Sequence, residues 1–155
     1  MELPDWFVLI WFWQPDWRFR LLVIIVLANM ALAVRLYTVM SKARFRAAKE
    51  GRVTTDTYRA TQNEPEDVAV FNRAVANQFE SPVLFYAIIA IGLALGVTSW
   101  ITVVLAAAYV AFRWLHGNEM VGSHDVLTRR RHFIRSFQVL LVMMAELFIS
   151  AMLFV

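Results

Sequence analysis

Apolar residues fall along this chain in four long blocks, separated by two strongly polar connections and one short turn. The first block, Leu21 to Val34, is interrupted only by Asn29. An α-helix rises about 1.5 Å per residue and a bilayer's hydrocarbon layer is about 30 Å thick, so residues 17–40 predict a first spanning helix with its flanks included. Residues 68–96 predict a second, bent at Pro82. A turn at Thr98-Ser99 leads to a third over about 98–116, which makes the second and third an antiparallel pair. Residues 133–155 predict a fourth. Ahead of these lies a run from Trp6 to Trp13, bounded by Pro4 and Pro15 and too short to span. Its tryptophans, with Trp17, suit the headgroup layer, so residues 1–16 predict an interfacial segment. The pattern is that of one all-α membrane domain over 1–155, a four-helix bundle.

The connections orient it. Seven Lys or Arg lie between residues 41 and 73 and five between 113 and 135, against none in the 97–100 turn. The positive-inside rule therefore puts both polar connections in the cytoplasm and both termini on the non-cytoplasmic side. Within 41–67, Gly51 is placed to end a helical extension, and the acidic, proline-containing QNEPED reads as the start of the next helix. The first residues lack the basic stretch and small-residue cleavage site of a signal peptide, so the N-terminal run is expected to stay in the mature chain.

Composition agrees with the pattern and narrows the chemistry. Hydrophobic residues make up 60% of the 155 and charged ones only 17%, far from the balance of a soluble domain. The net charge of +3 belongs to residues flanking apolar blocks, which points to lipid headgroups and orientation and away from nucleic acid. There is no cysteine, which excludes disulfides, thiolate nucleophiles and thiolate metal sites. His116 and His124, with Glu119 or Asp125, form only a loose pattern in a polar loop, and no metal site is expected from it. Met143 and Met144 read as apolar filler.

Polar residues at membrane depth carry the functional signal, because ionisable groups there are costly and face a protein interior or a wet cavity. On a continuous helix the spacing of Arg73, Asn77 and Glu80 puts all three on one face. Glu80 lies about 24 Å of helix before Gly96, in the cytoplasmic part of the layer, and Arg113 lies about 20 Å from Trp100 at the same level. Arg44 and the Arg129–Arg131 cluster belong to the same end. A pocket of arginines with one carboxylate and one carboxamide suits a small zwitterionic or polyanionic ligand, since arginine binds carboxylates bidentately and Glu80 can accept from an ammonium. The plainer reading makes Arg73 and Arg113 snorkelling residues with Glu80 as their counter-ion. Glu146 falls near the midplane or beyond it, within reach of Asn29 or of a neighbouring subunit.

Residues 73–80, RAVANQFE, resemble the R-A-x-x-N-x-x-E signature of the MAPEG family, the membrane-associated proteins of eicosanoid and glutathione metabolism. Four spanning segments with the signature opening the second match that family as well. NQFESPVLFYAI and RWLHGNEMVGSHDVLTRR are most similar to its bacterial branch, and the resemblance covers roughly residues 17–150.

That resemblance implies a left-handed bundle assembling as a homotrimer in a bacterial inner membrane, with glutathione as co-substrate between subunits. Arg73, Asn77 and Glu80 fall on the family's glutathione-binding positions, Arg44 on an arginine that meets the ligand's carboxylate, and Arg113 in the third-helix motif. Arg129 best matches the arginine that stabilises the glutathione thiolate, with Arg131 second. By ungapped matching, Trp114 and Asn118 occupy positions where eicosanoid-forming members carry tyrosines, and Val75 one where active enzymes carry polar residues. The implied activity is a glutathione-dependent transferase or peroxidase acting on lipophilic substrates. The alternatives are a non-catalytic membrane subunit or scaffold, and a small transporter, for which the inverted repeat is lacking.

Overall fold

The computed structural model describes residues 17–60, 63–123 and 125–154. The interfacial segment expected over 1–16 and the candidate ligand His124 lie outside them. The elements in order are α1 (Trp17–Lys49), α2 (Thr55–Ala60), α3 (Glu66–Ala76), α4 (Ser81–Ala94), α5 (Trp100–Val121) and α6 (Val126–Phe154). Among the described residues there is no strand. Four helical stretches among the described residues, with α3 and α4 counted together, are long and apolar enough to cross a membrane.

Side-chain contacts set the register. Arg18 reaches the Thr98 carbonyl and Asn29 reaches Tyr86, so α1 runs antiparallel to α4. Trp114 bonds the Ala28 carbonyl and Arg35 bonds Asn118, so α5 runs parallel to α1. Thr102 bonds Glu146 and His116 meets Arg129, so α6 returns antiparallel to α5. The result is an up-down-up-down bundle. Its main core joins all four spans through Leu22, Phe85, Ile88, Tyr109, Leu140 and Met143, and a second cluster nearer the polar end joins Leu32, Leu36, Ala74, Val75 and Met120.

α1 is longer than the expected span. Its 33 residues reach about 50 Å. It continues through the basic run to Lys49 and ends as the glycine predicts: Gly51 takes φ +69°, its N–H donates to the Ala48 carbonyl and that of Arg52 to the Ala47 carbonyl. Such a left-handed closure costs a residue without Cβ nothing. The turn to α5 works similarly. Gly96 takes φ +70°, and Ser99 and Thr102 form a reciprocal capping box at the helix start. Gly92 and Gly96, four residues apart, thus play different parts. Gly92 is buried against Leu147 and Thr98, whereas Gly96 turns the chain.

The second span departs most from expectation. It is two helices, not one bent helix. Pro82 has no N–H, and in an unbroken helix its ring would collide with the Gln78 carbonyl four residues earlier. The chain leaves helical geometry after Ala76, passes Glu80 at φ −99° and ψ −104°, and restarts at Ser81 with Pro82 in the first turn, where its missing donor is harmless.

Candidate functional site

The break in the second span shapes the polar end of the bundle. Because Arg73 belongs to α3, Asn77 caps its C-terminus and Glu80 precedes α4, the three do not share a continuous helical face. The expectation of one face is corrected by Pro82. A break also frees backbone carbonyls that a helix would have bonded. That of Asn77 is met by Arg113, whose Nη2 donates to it at 2.8 Å.

Arg113 is wholly buried in α5, and its Nε and Nη1 have no partner. It lies one turn from Tyr109, whose ring stacks on Phe85 at 4.6 Å and whose hydroxyl donates to Ser81 Oγ at 3.4 Å. Arg113 thus braces the break from inside the bundle, apart from the pocket on the break's other side.

On the other side of the break lies a pocket of about 350 Å³, walled by Arg73, Asn77, His116, Met120, Arg129 and Arg130. Arg73 is exposed, and Asn77 donates its amide to the Arg73 carbonyl at 2.8 Å. Arg129 comes to the pocket from the first turns of α6, held there by the antiparallel pairing with α5. His116 Nδ1 lies 3.1 Å from the Arg129 carbonyl. A carbonyl only accepts, so Nδ1 carries the hydrogen and Nε2 is left as an acceptor. Nε2 is buried and without a partner. An orphan acceptor on the wall of a pocket fits a ligand that brings its own donor.

The other sequence candidates stand apart from this pocket. Glu80 is exposed beyond the break. Arg131 is exposed on the outer side of α6. Arg44 is engaged within the chain: Nε donates to Glu64 Oε1 at 3.0 Å, and its guanidinium lies 5.1 Å over the Tyr58 ring. Glu64 also accepts from Asn72. Trp114 and Asn118 are bound to α1 through the Ala28 carbonyl and Arg35, the latter at 2.6 Å.

Sequence reasoning missed His116 and Met120 as pocket residues, and Glu64 as the partner of Arg44; Arg130 came only as part of the Arg129–Arg131 cluster. The spacing of Arg113, His116 and Met120 by three and four residues marks one face of α5, a signal that could have found the two α5 residues. The looser grouping of His116, Glu119 and Asp125 does not gather: Glu119 accepts from Ser123, and Asp125 caps α6. Asp125's carboxyl is held below its ordinary range by hydrogen bonds from the Thr128 side chain and then from backbone N–H groups. Glu146 does not meet Asn29. It accepts from Ser99 and Thr102, each at 2.8 Å, at the end of the bundle opposite the pocket, while Asn29 donates to Tyr86 at 2.9 Å.

Four apolar spans, with arginines and a carboxamide gathered around a pocket at one end, define an integral membrane protein with a polar site at its bilayer edge. The chain belongs to the MAPEG family, whose family model matches residues 19–149. It is therefore a membrane protein of the kind found in glutathione and eicosanoid metabolism. Comparison with curated proteins and with solved structures gives no match.

Proposed function

We propose that the protein is a glutathione-dependent membrane transferase or peroxidase acting on lipophilic substrates, working as a homotrimer in a bacterial inner membrane. The observation that carries this reading is the meeting of Arg73, Asn77 and Arg129 around one pocket. Arg73 and Asn77 come from the signature, while Arg129 lies some fifty residues further on.

The pocket suits the ligand's chemistry. Glutathione has two carboxylates, an ammonium, two amides and a thiol, and its thiolate, when bound, would add to an electrophilic carbon or reduce a hydroperoxide. Arg73 and Arg130 would grip carboxylates, the Asn77 amide would pair with a peptide group, and His116 Nε2 would accept from an N–H. Arg129 would favour thiolate over thiol by Coulomb attraction. No protein nucleophile is required, consistent with a chain free of cysteine. Glu80 and Arg131, exposed on one chain, would complete the site against a neighbouring subunit. Arg44 could join only by exchanging Glu64 for a ligand carboxylate, and Arg113 acts by holding the Asn77 break.

A scaffold without catalysis is the second reading, favoured by the binding of Trp114 and Asn118 to α1, which makes packing residues of two positions that contact ligand elsewhere in the family. Thermal unfolding of the detergent-purified protein separates the two. Under the first reading, millimolar glutathione raises the melting temperature and Arg73→Ala or Arg129→Ala abolishes the rise. At a hundredfold excess over Kd the stabilisation is about 2.7 kcal/mol. A protein indifferent to glutathione and to other thiols would be the scaffold.

A further inference from the structure

A second and larger cleft, of about 650 Å³, opens beside the first and shares Arg73, Val126 and Arg129 with it. Its remaining polar wall is Arg46 of α1, Arg52, and Glu66 and Asp67 of α3. These charges do not cancel. Arg52 is neutralised locally, for it grips both Asp67 oxygens at 3.0 Å and Glu50 at 2.9 Å. Arg46, Arg73 and Arg129 make no ion pair among the described residues, against the single remaining carboxylate of Glu66.

The depth of the cleft follows from α1. Leu21 to Met40, between Arg20 and the Ser41-Lys42 pair and with Arg35 as its one charged residue, is the length of about 20 residues that crosses the hydrocarbon layer. Arg46 stands six residues past Met40, about 9 Å further along the helix axis, in or just outside a headgroup layer about 5–8 Å thick. The packing of Val68 against Ala47 and Val53 puts the start of α3 at the same level. The cleft's apolar wall includes Val70, Phe71 and Val126, the last 58% exposed, and Phe45 and Leu127, next to Arg46 and Val126 in the chain, are exposed as well. A basic cleft rimmed by apolar side chains at this depth is amphipathic in the sense of a lipid and not of a soluble anion.

We propose that this cleft seats the phosphate of an anionic phospholipid, held by Arg46, Arg73 and Arg129, with acyl chains against the apolar rim. Guanidinium groups recognise phosphate through paired, charge-assisted hydrogen bonds. The cleft shares Arg73 and Arg129 with the thiol pocket, so the two ligands would compete for them; Arg46 belongs to this cleft alone, and its substitution tests the phosphate seat without touching the thiol pocket.

The test uses the full chain, stripped of lipid in neutral detergent, with phosphatidic acid as probe and thermal unfolding as readout. Phosphatidic acid is expected to raise the melting temperature and phosphatidylcholine to leave it unchanged. Arg46→Gln, an exposed change on a helix surface, should weaken the response to phosphatidic acid about fivefold. Lys49→Gln, three residues away and outside the cleft, should weaken it by less than about twofold. Equal weakening by the two variants would mean diffuse attraction to a basic surface and overturn the site. No response to phosphatidic acid would overturn it as well. If inorganic phosphate at equal concentration gave the full response, the occupant would be a soluble phosphate and the lipid assignment would fall.

Discussion

Arg113 donates from Nη2 to the backbone carbonyl of Asn77 at 2.8 Å, joining the middle of α5 to the break between α3 and α4. The bond answers a need that the sequence created. Pro82 ends the helix, a carbonyl loses its partner, and a side chain three dozen residues away supplies one. In exchange the bundle buries a guanidinium with two nitrogens unpaired, which is costly.

Two substitutions at Arg113 separate those effects. Arg113→Ala leaves both a cavity and an unpaired carbonyl, and is expected to cost about 2–4 kcal/mol. Arg113→Met fills most of the volume and removes the unpaired nitrogens, so it should recover much of that loss. Unfolding in mixed micelles should rank wild type and Met above Ala. If Ala equalled wild type, the brace would carry no stability.

Gly117 lets α1 and α5 approach. A Cβ there would lie 3.1 Å from Leu32 Cδ1. A methyl can yield by a few tenths of an ångström, so Gly117→Ala should be mild. Gly117→Val overpacks a contact between two long helices and should cost about 1–3 kcal/mol. The same melting experiment checks it.

Glu146 is predicted to matter for stability and not for ligand response. Its carboxylate accepts from Ser99 and Thr102 at the N-terminus of α5, where negative charge is favoured. Glu146→Gln removes that charge and should cost about 1–2 kcal/mol. Any thermal shift given by glutathione at the opposite end of the bundle should be unchanged.

Asp125 gives a pH dependence of known sign. Its carboxyl is depressed by Thr128 and by the Leu127 N–H, which donates to Oδ1 at 2.9 Å. A carboxyl lowered on folding adds stability that is present above its unfolded value and is lost as pH falls through the folded one. Asp125→Ala should therefore melt below wild type at pH 7, with the gap closing as pH drops below about 4. Circular dichroism melts between pH 3 and pH 7 would show it, and a gap constant with pH would remove Asp125 from the account.

Much of the fold was legible because a bilayer imposes a simple rule: twenty apolar residues make a span, and basic flanks mark its ends. The four spans, the helix stop at Gly51 and the helix start near Pro65 follow from local chemistry that the neighbours hardly alter. Arg73 and Asn77 were legible from the family signature. His116 was not, since on the sequence it read as one of several loose metal candidates, and its role depends on which carbonyl faces its Nδ1.

The chain by itself determined that this is an all-α membrane protein of the MAPEG family with a polar end rich in arginine, because hydropathy and signature spacing are properties of consecutive residues. Only the tertiary structure decided which arginines meet. Arg129 joins Arg73 and Asn77, Arg44 turns to Glu64, and Arg113 disappears into the core. Those outcomes depend on how α5 and α6 pack against a broken second span, and the break displaces Glu80 from the face that an unbroken helix would have given it. A proline that breaks a helix is visible in one letter of sequence, but the partner found for the Asn77 carbonyl that the break leaves open is set by the packing of distant segments.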